Sequence, residues 1–220
     1  RWATHYLNVK YRGNWAPQVA RNIILKYSRP GEIVLDAFVG SGTTLIECKL
    51  LGRHGIGVDI NYEAIMLAWD RLNFEYKPGK VKLQQIDSWL KRETVQKEEY
   101  IQPVISKVSS IKEYVDEMKI VAKEFYRVLK PGRHLAILLG DTRRHKHYVP
   151  IAYRTMQAFL DIGFILKEDI IKLQHHMMGT IPWRMKERDF HLIAHEHLFI
   201  FRKPGKNEKI NKFKESMKWW

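Results

Sequence analysis

Val34-Leu35-Asp36-Ala37-Phe38-Val39-Gly40-Ser41-Gly42-Thr43-Thr44 decides the fold of this 220-residue chain. An apolar run ends in an acid, a glycine-bracketed turn follows, and the residues after the turn read as helix. A second apolar run, Gly55-Ile56-Gly57-Val58, closes on Asp59. Strand, glycine turn, helix and a second strand ending in a carboxylate describe a nucleotide-type pocket at the edge of a parallel sheet. Gly40 and Gly42 let the backbone pass close beneath a ligand and reach dihedrals closed to other residues. Asp59 is placed to accept hydrogen bonds from the two hydroxyls of a ribose. Thr43 and Thr44 follow the second glycine and no third glycine appears, so the pattern is not the dinucleotide fingerprint G-x-G-x-x-G.

Outward from that unit, periodicity and punctuation give alternating elements. Helices are predicted over Pro17–Tyr27, Thr43–Leu51, Tyr62–Phe74, Ile111–Leu129 and Val149–Leu160. Strands are predicted over Ile33–Leu35, Ile56–Val58, Val81–Ile86 (ended by Asp87) and His134–Leu139, with Phe164–Leu173 and Leu192–Arg202 as a closing antiparallel pair. The first strand is continuously apolar, as a strand covered on both faces should be. Such alternation means an α/β, doubly wound, mostly parallel sheet with ligands at the carboxyl ends of its strands. Between Asp87 and Ile111 the alternation demands one more strand. Its best candidate, Tyr100–Ile105, contains Pro103, which cannot donate to a central ladder.

Composition bounds the rest. The apolar fraction is 45% and the charged fraction 28%, the balance of a globular protein, and residues 1–204 read as one domain. Residues 205–220 read as a basic tail, either a frayed end or a docked amphipathic helix. Thirty-eight Lys and Arg against 24 Asp and Glu leave a net charge of +14, which favours a polyanionic partner through counterion release. A lone cysteine, Cys48, excludes an internal disulfide and a Cys-based zinc cluster, and suits a reducing, cytoplasmic compartment. No apolar run approaches the ~18 residues of a membrane span and no signal-peptide pattern opens the chain. Opening at Arg1 rather than methionine reads as the loss of an N-terminal piece.

Asp36-Ala37-Phe38-Val39-Gly40-Ser41-Gly42-Thr43-Thr44 resembles the first motif, D-P-F-x-G-S-G-T-T, of S-adenosylmethionine-dependent DNA amino-methyltransferases, with Ala37 in place of proline. Leu51 to Asn61 is similar to the stretch that follows in that family, and Tyr126 to Gly132 to the helix-to-strand corner of class I methyltransferases. The resemblance runs from about His5 to Lys203. It implies a Rossmann-like, seven-stranded sheet with a closing antiparallel strand, S-adenosyl-L-methionine as cofactor, and methylation of adenine N6 or cytosine N4 in DNA. It also implies cofactor-binding roles for Asp36, Phe38, Gly40, Ser41, Gly42, Thr43, Asp59 and Ile60. Asp87 would take the adenine amine, and Trp15 and Pro17 of Asn14-Trp15-Ala16-Pro17 would stand for the N-terminal cofactor motif, usually K-F-x-P.

The family's catalytic loop, (D/N/S)-P-P-(Y/F/W), holds the amine of a flipped base. No Pro-Pro occurs in this chain, so the sequence names no catalytic residue. Either the segment after Asp87 is degenerate or a stretch of it is missing from the sequence. Two other readings stay open beside the DNA enzyme: an RNA base methyltransferase, and a silent cofactor-binding subunit acting with a protein partner or in a homodimer. For nucleic acid, the loop after the His134–Leu139 strand offers Arg143, Arg144, Lys146, His147 and Tyr148, and a second segment offers Trp183, Arg184 and Arg188. His195-Glu196-His197 has the look of a metal set, but strand alternation turns both histidines to one face beside apolar neighbours, so no metal is expected.

Overall fold

The computed structural model describes residues 16–73, 110–174 and 189–217. It divides into two compact units, Arg1–Gln102 and Pro103–Trp220. Trp15, the strand expected at Val81–Ile86 with Asp87, the candidate strand Tyr100–Ile105, and Trp183, Arg184 and Arg188 lie outside the described residues.

The first unit runs α1 (Pro17–Tyr27), β1 (Ile33–Asp36), α2 (Thr43–Leu51), β2 (His54–Gly57) and α3 (Tyr62–Leu72). Pro17 opens α1, where its missing N–H costs nothing, and Asn61 caps α3 by accepting from the Glu63 N–H at 2.9 Å. β1 and β2 pair in parallel, Ile33 opposite His54 through Asp36 opposite Gly57. β2 therefore begins two residues earlier than expected. Alternation sends Val34 and its partner Gly55 towards Leu45 on α2, while Ile33, Leu35 and Ile56 turn away and are exposed. Within this unit α1 and α3 pack on α2.

A part-buried pair ties α1 to α2. Arg21 of α1 donates to Glu47 of α2 at 2.7 Å, and Glu47 is 1% exposed. Burial pushes the Glu47 carboxyl up to about 7. Because its folded value lies above the ordinary 4.5, its contribution to stability is full below about pH 4.5 and is lost as pH rises through 7. Glu47→Gln should remove this slope, narrowing the stability difference between pH 5 and pH 8 by about 2 kcal/mol, read from urea unfolding at both pH values. An unchanged difference would show that Arg21 already neutralises the burial cost. Cys48 is buried beside Glu47, and burial with the nearby Asp36 carboxylate raises its thiol to about 12, the state of an unreactive core sulfhydryl.

The second unit runs α4 (Ile111–Val128), β3 (His134–Leu139), β4 (Thr142–Arg144), β5 (His147–Val149), α5 (Ile151–Ile162), β6 (Ile165–Leu173), β7 (His195–Arg202) and a 3₁₀ helix over Ile210–Ser216. Ser110 caps α4, accepting from the Glu113 N–H, the S-x-x-E arrangement of a capping box. Met118 and Ala122 of α4 meet Ala152, Met156 and Phe159 of α5 over Phe164, Phe199 and Phe201, and the Phe159 and Phe201 rings stack 5.1 Å apart. The sheet order is β3-β7-β6, antiparallel throughout, as the expected closing pair required. Among the described residues the strands form a parallel pair, this three-stranded sheet and the β4–β5 pair.

One local expectation is corrected. The basic segment after β3 is a hairpin, Thr142 opposite Val149 and Arg144 opposite His147, rather than a loop, so α5 starts at Ile151 instead of Val149. The tail does not fray at its start. Arg202 donates two bonds to Glu208, at 2.7 and 3.1 Å, and its guanidinium lies over the Phe213 ring. That fork holds the Glu208 carboxyl down to about 2. Among the described residues no helix is long and apolar enough to cross a membrane.

Candidate functional site

The first site forms where β1 and β2 end. Val58 donates to the Asp36 carbonyl and Val39 to the Val58 carbonyl, so the glycine turn is stitched to the strand ends before it enters α2. Gly40 and Gly42 both take positive φ, 49° and 83°, the conformations foreseen for them. The Asp36 carboxylate accepts from the Phe38 N–H at 3.1 Å and so shapes the first bend. Asp59 is held more firmly. One carboxylate oxygen accepts from the Gly40 N–H at 2.8 Å and the other from the Asn61 N–H at 2.9 Å. An ionised carboxylate has about four acceptor positions, so each oxygen keeps one for a ligand hydroxyl. Phe38 and Ile60 are exposed beside it and give the rim an apolar surface.

Ser41 and Thr43 sit beneath the turn and are buried. The Arg71 guanidinium, also buried, donates to the Ser41 carbonyl at 2.5 Å and to the Ser41 hydroxyl. Arg71 escaped sequence reasoning. It closes α3, thirty residues from Ser41, and an arginine ending an amphipathic helix gives no local sign that it reaches inward. Ala68, one turn earlier, is the floor under Gly42: a methyl group on Gly42 would lie 2.8 Å from the Ala68 Cβ.

The second site belongs to the second unit. His145 and Lys146 form the two-residue turn of the β4–β5 hairpin with φ of 50° and 68°, a conformation normally left to Asn-Gly. The Arg143 guanidinium spans the turn, donating to the Lys146 carbonyl at 2.9 Å and the His191 carbonyl at 2.7 Å, and stacks on Phe190 at 4.6 Å. Arg143 therefore shapes the tip. Arg144, His145, Lys146 and His147 stand exposed around it, and the Tyr148 hydroxyl is committed to Asp141 while its ring is exposed. Among the described residues no group of three or more His, Cys, Asp or Glu side chains is placed to hold a metal ion, and His197 instead faces carboxylates of β6 and the β3 end.

The type II methyltransferase M.HpaI of Haemophilus parainfluenzae is 56% identical over 54 residues, 24% of this chain and 17% of that protein. M.MjaII of Methanocaldococcus jannaschii, also a type II methyltransferase, is 39% identical over 51 residues, 23% of this chain and 10% of that protein. The matched stretches thus span under a fifth of either relative's length. A methyltransferase structure from Pyrococcus furiosus superposes with a TM-score of 0.52 at 14% identity, over 90% of this chain and 88% of that one, which shows a class I methyltransferase fold. The profile of the DNA methylase family, N6/N4 type, matches residues 5–70 and 88–219, and the chain belongs to that family.

Proposed function

We propose that this chain binds S-adenosyl-L-methionine at the ends of β1 and β2 and directs methyl transfer to an exocyclic amine, adenine N6 or cytosine N4, in DNA. The observation that carries the reading is Asp59. It is fixed by the Gly40 and Asn61 amides and turns its remaining acceptor positions to the site. Family membership supports the substrate and the net charge of +14 supports a nucleic-acid partner. When bound, the cofactor would supply an electrophilic methyl group: its C–S bond would break as the C–N bond forms, leaving the neutral thioether, and the amine proton would pass to solvent.

The chain's residues divide the remaining work. Asp59 orients the ribose, Phe38 and Ile60 cover the adenine and methionine parts, and Asp36, Gly40 and Gly42 keep the turn close beneath them. Ser41 and Thr43 support that turn from inside, and Asp87, Trp15 and Pro17 complete the pocket. Arg144, Lys146, His147 and the Tyr148 ring meet phosphates or an unstacked base from the hairpin, together with Trp183, Arg184 and Arg188. Residues 1–204 act as one methyltransferase domain of seven strands, with a protein partner or a second copy assisting.

Incubation with methyl-labelled cofactor and duplex DNA, with an RNA of the same sequence in parallel, tests the reading. Label in N6-methyladenine or N4-methylcytosine after DNA digestion is the expected result. Label in RNA alone would overturn the substrate, and cofactor binding without transfer to either would leave the silent-subunit reading standing instead.

A further inference from the structure

The carboxyl end of β3 holds a buried polar chain that the methyl-transfer reading does not use. The Asp141 side chain is 0% exposed. A buried carboxylate is costly unless donors surround it, and three groups converge on this one. The Ala152 N–H, in the first turn of α5, donates at 2.8 Å, and the helix terminus adds its positive end. The Tyr148 hydroxyl, from β5, donates to the other oxygen. Burial and Asp141 itself both raise the Tyr148 phenol, so it remains protonated and a donor.

The third group is His197 of β7, its Nε2 3.6 Å from Asp141 and its Nδ1 3.2 Å from Asp169 of β6. Its ring is 3% exposed, stacked on Phe199 and met edge-on by Tyr153 at 4.7 Å. The imidazole is wedged between two carboxylates from different elements: its Nδ1 lies within hydrogen-bond reach of Asp169, and its buried Nε2 faces Asp141 without a hydrogen bond. Asp169, His197, Asp141 and Tyr148 thus link the sheet to the second strand of the hairpin.

The hairpin has something to be held against. Left-handed backbone at two consecutive non-glycine residues is strained and persists only where surrounding contacts over-determine it. Arg143 braces the tip from one side and Tyr148 roots it from the other. The strain keeps a histidine and a lysine at the point of the turn, where Asn-Gly would relax the backbone and carry no cation.

We propose that Asp141, His197 and Asp169, acting through the Tyr148 hydroxyl, form a latch that fixes the β4–β5 hairpin so that Arg144, Lys146 and His147 meet the phosphate backbone together. The Tyr148 hydroxyl and His197 are positioning groups for DNA. This rests on the DNA-substrate reading above, and the test separates the two.

In the full chain, Tyr148→Phe removes one oxygen and His197→Phe keeps the stacked ring. Each should weaken binding of a fluorescent DNA duplex about 10-fold and flatten the dependence of log affinity on log salt by about one to two phosphates. The double variant should be little worse than the worse single, because both cut one path. Cofactor affinity should stay at the wild-type value, and amide exchange should accelerate over 142–149 without DNA. A merely structural role would lower the melting temperature and leave the salt slope alone. The control is Arg144→Ala/Lys146→Ala/His147→Ala. If it too binds DNA with wild-type affinity and slope, the hairpin does not touch DNA and both ideas fall. If it loses affinity while the Tyr148 and His197 variants keep wild-type affinity, slope and exchange, the latch is overturned and the DNA reading survives.

Discussion

Asp59→Ala should lower affinity for S-adenosyl-L-methionine by at least about 100-fold. Two hydroxyls donating to a fixed carboxylate are worth about 1.5–3 kcal/mol each, so losing both costs roughly 3–6 kcal/mol, two to four decades in Kd. The carboxylate also accepts from the Gly40 and Asn61 amides, so its removal leaves the Gly40 N–H without that acceptor at the crest of the turn. Asp59→Asn separates these roles. Its amide oxygen can still take one backbone N–H and one ligand hydroxyl, while the charge is gone. An intermediate loss of about 10-fold is expected. Titration calorimetry with the cofactor, and with its demethylated product as a second ligand, reads both variants. Wild-type affinity in Asp59→Ala would mean that the ribose binds elsewhere, and the site at the ends of β1 and β2 would have to be abandoned.

What the sequence made legible is what its chemistry states locally. Asp36 to Thr44 announces a turn because glycines bracket it, and Asp59 announces itself by ending an apolar run. Apolar positions at helical spacing mark the helix from Ile111, and the closing pair declares two long apolar strands. Contacts between distant residues leave no such mark. Arg71 under Ser41, Arg21 against Glu47, and His197 between Asp141 and Asp169 join residues 26 to 56 positions apart, and nothing near either partner names the other. The hairpin was hidden for another reason. Its turn is His145-Lys146 where a turn of that type normally shows Asn-Gly, so the usual sign is absent while the geometry is present. The same pair of residues that conceals the hairpin places a lysine at its tip.

Gly42→Ala should cost about 2–5 kcal/mol of stability and abolish cofactor binding, and a second glycine shows why. Gly42 caps α2 with φ of 83°, where a side chain costs about 1–2 kcal/mol in backbone strain alone. Its new methyl would also stand 2.8 Å from the Ala68 Cβ and 3.1 Å from the Ala68 Cα, and overpacking of this kind adds about 1–3 kcal/mol. Because Ala68 presents backbone as well as side chain, α3 cannot simply swing a rotamer aside. The turn must lift, and with it Gly40, whose N–H holds Asp59. Gly31 has nearly the same φ, 80°, with nothing within 4 Å of the added methyl. Gly31→Ala therefore carries the strain without the collision, and should melt only a few degrees below the wild type with cofactor affinity intact. Gly42→Ala/Ala68→Gly should recover the part of the loss due to contact with the Ala68 methyl and leave the part due to φ and the α3 backbone. If Gly31→Ala and Gly42→Ala melt together, the cost lies in the backbone angle alone and the close seat of the turn on α3 is wrong. If they separate and only Gly42→Ala loses the cofactor, the pocket depends on how tightly the glycine turn rests on its floor.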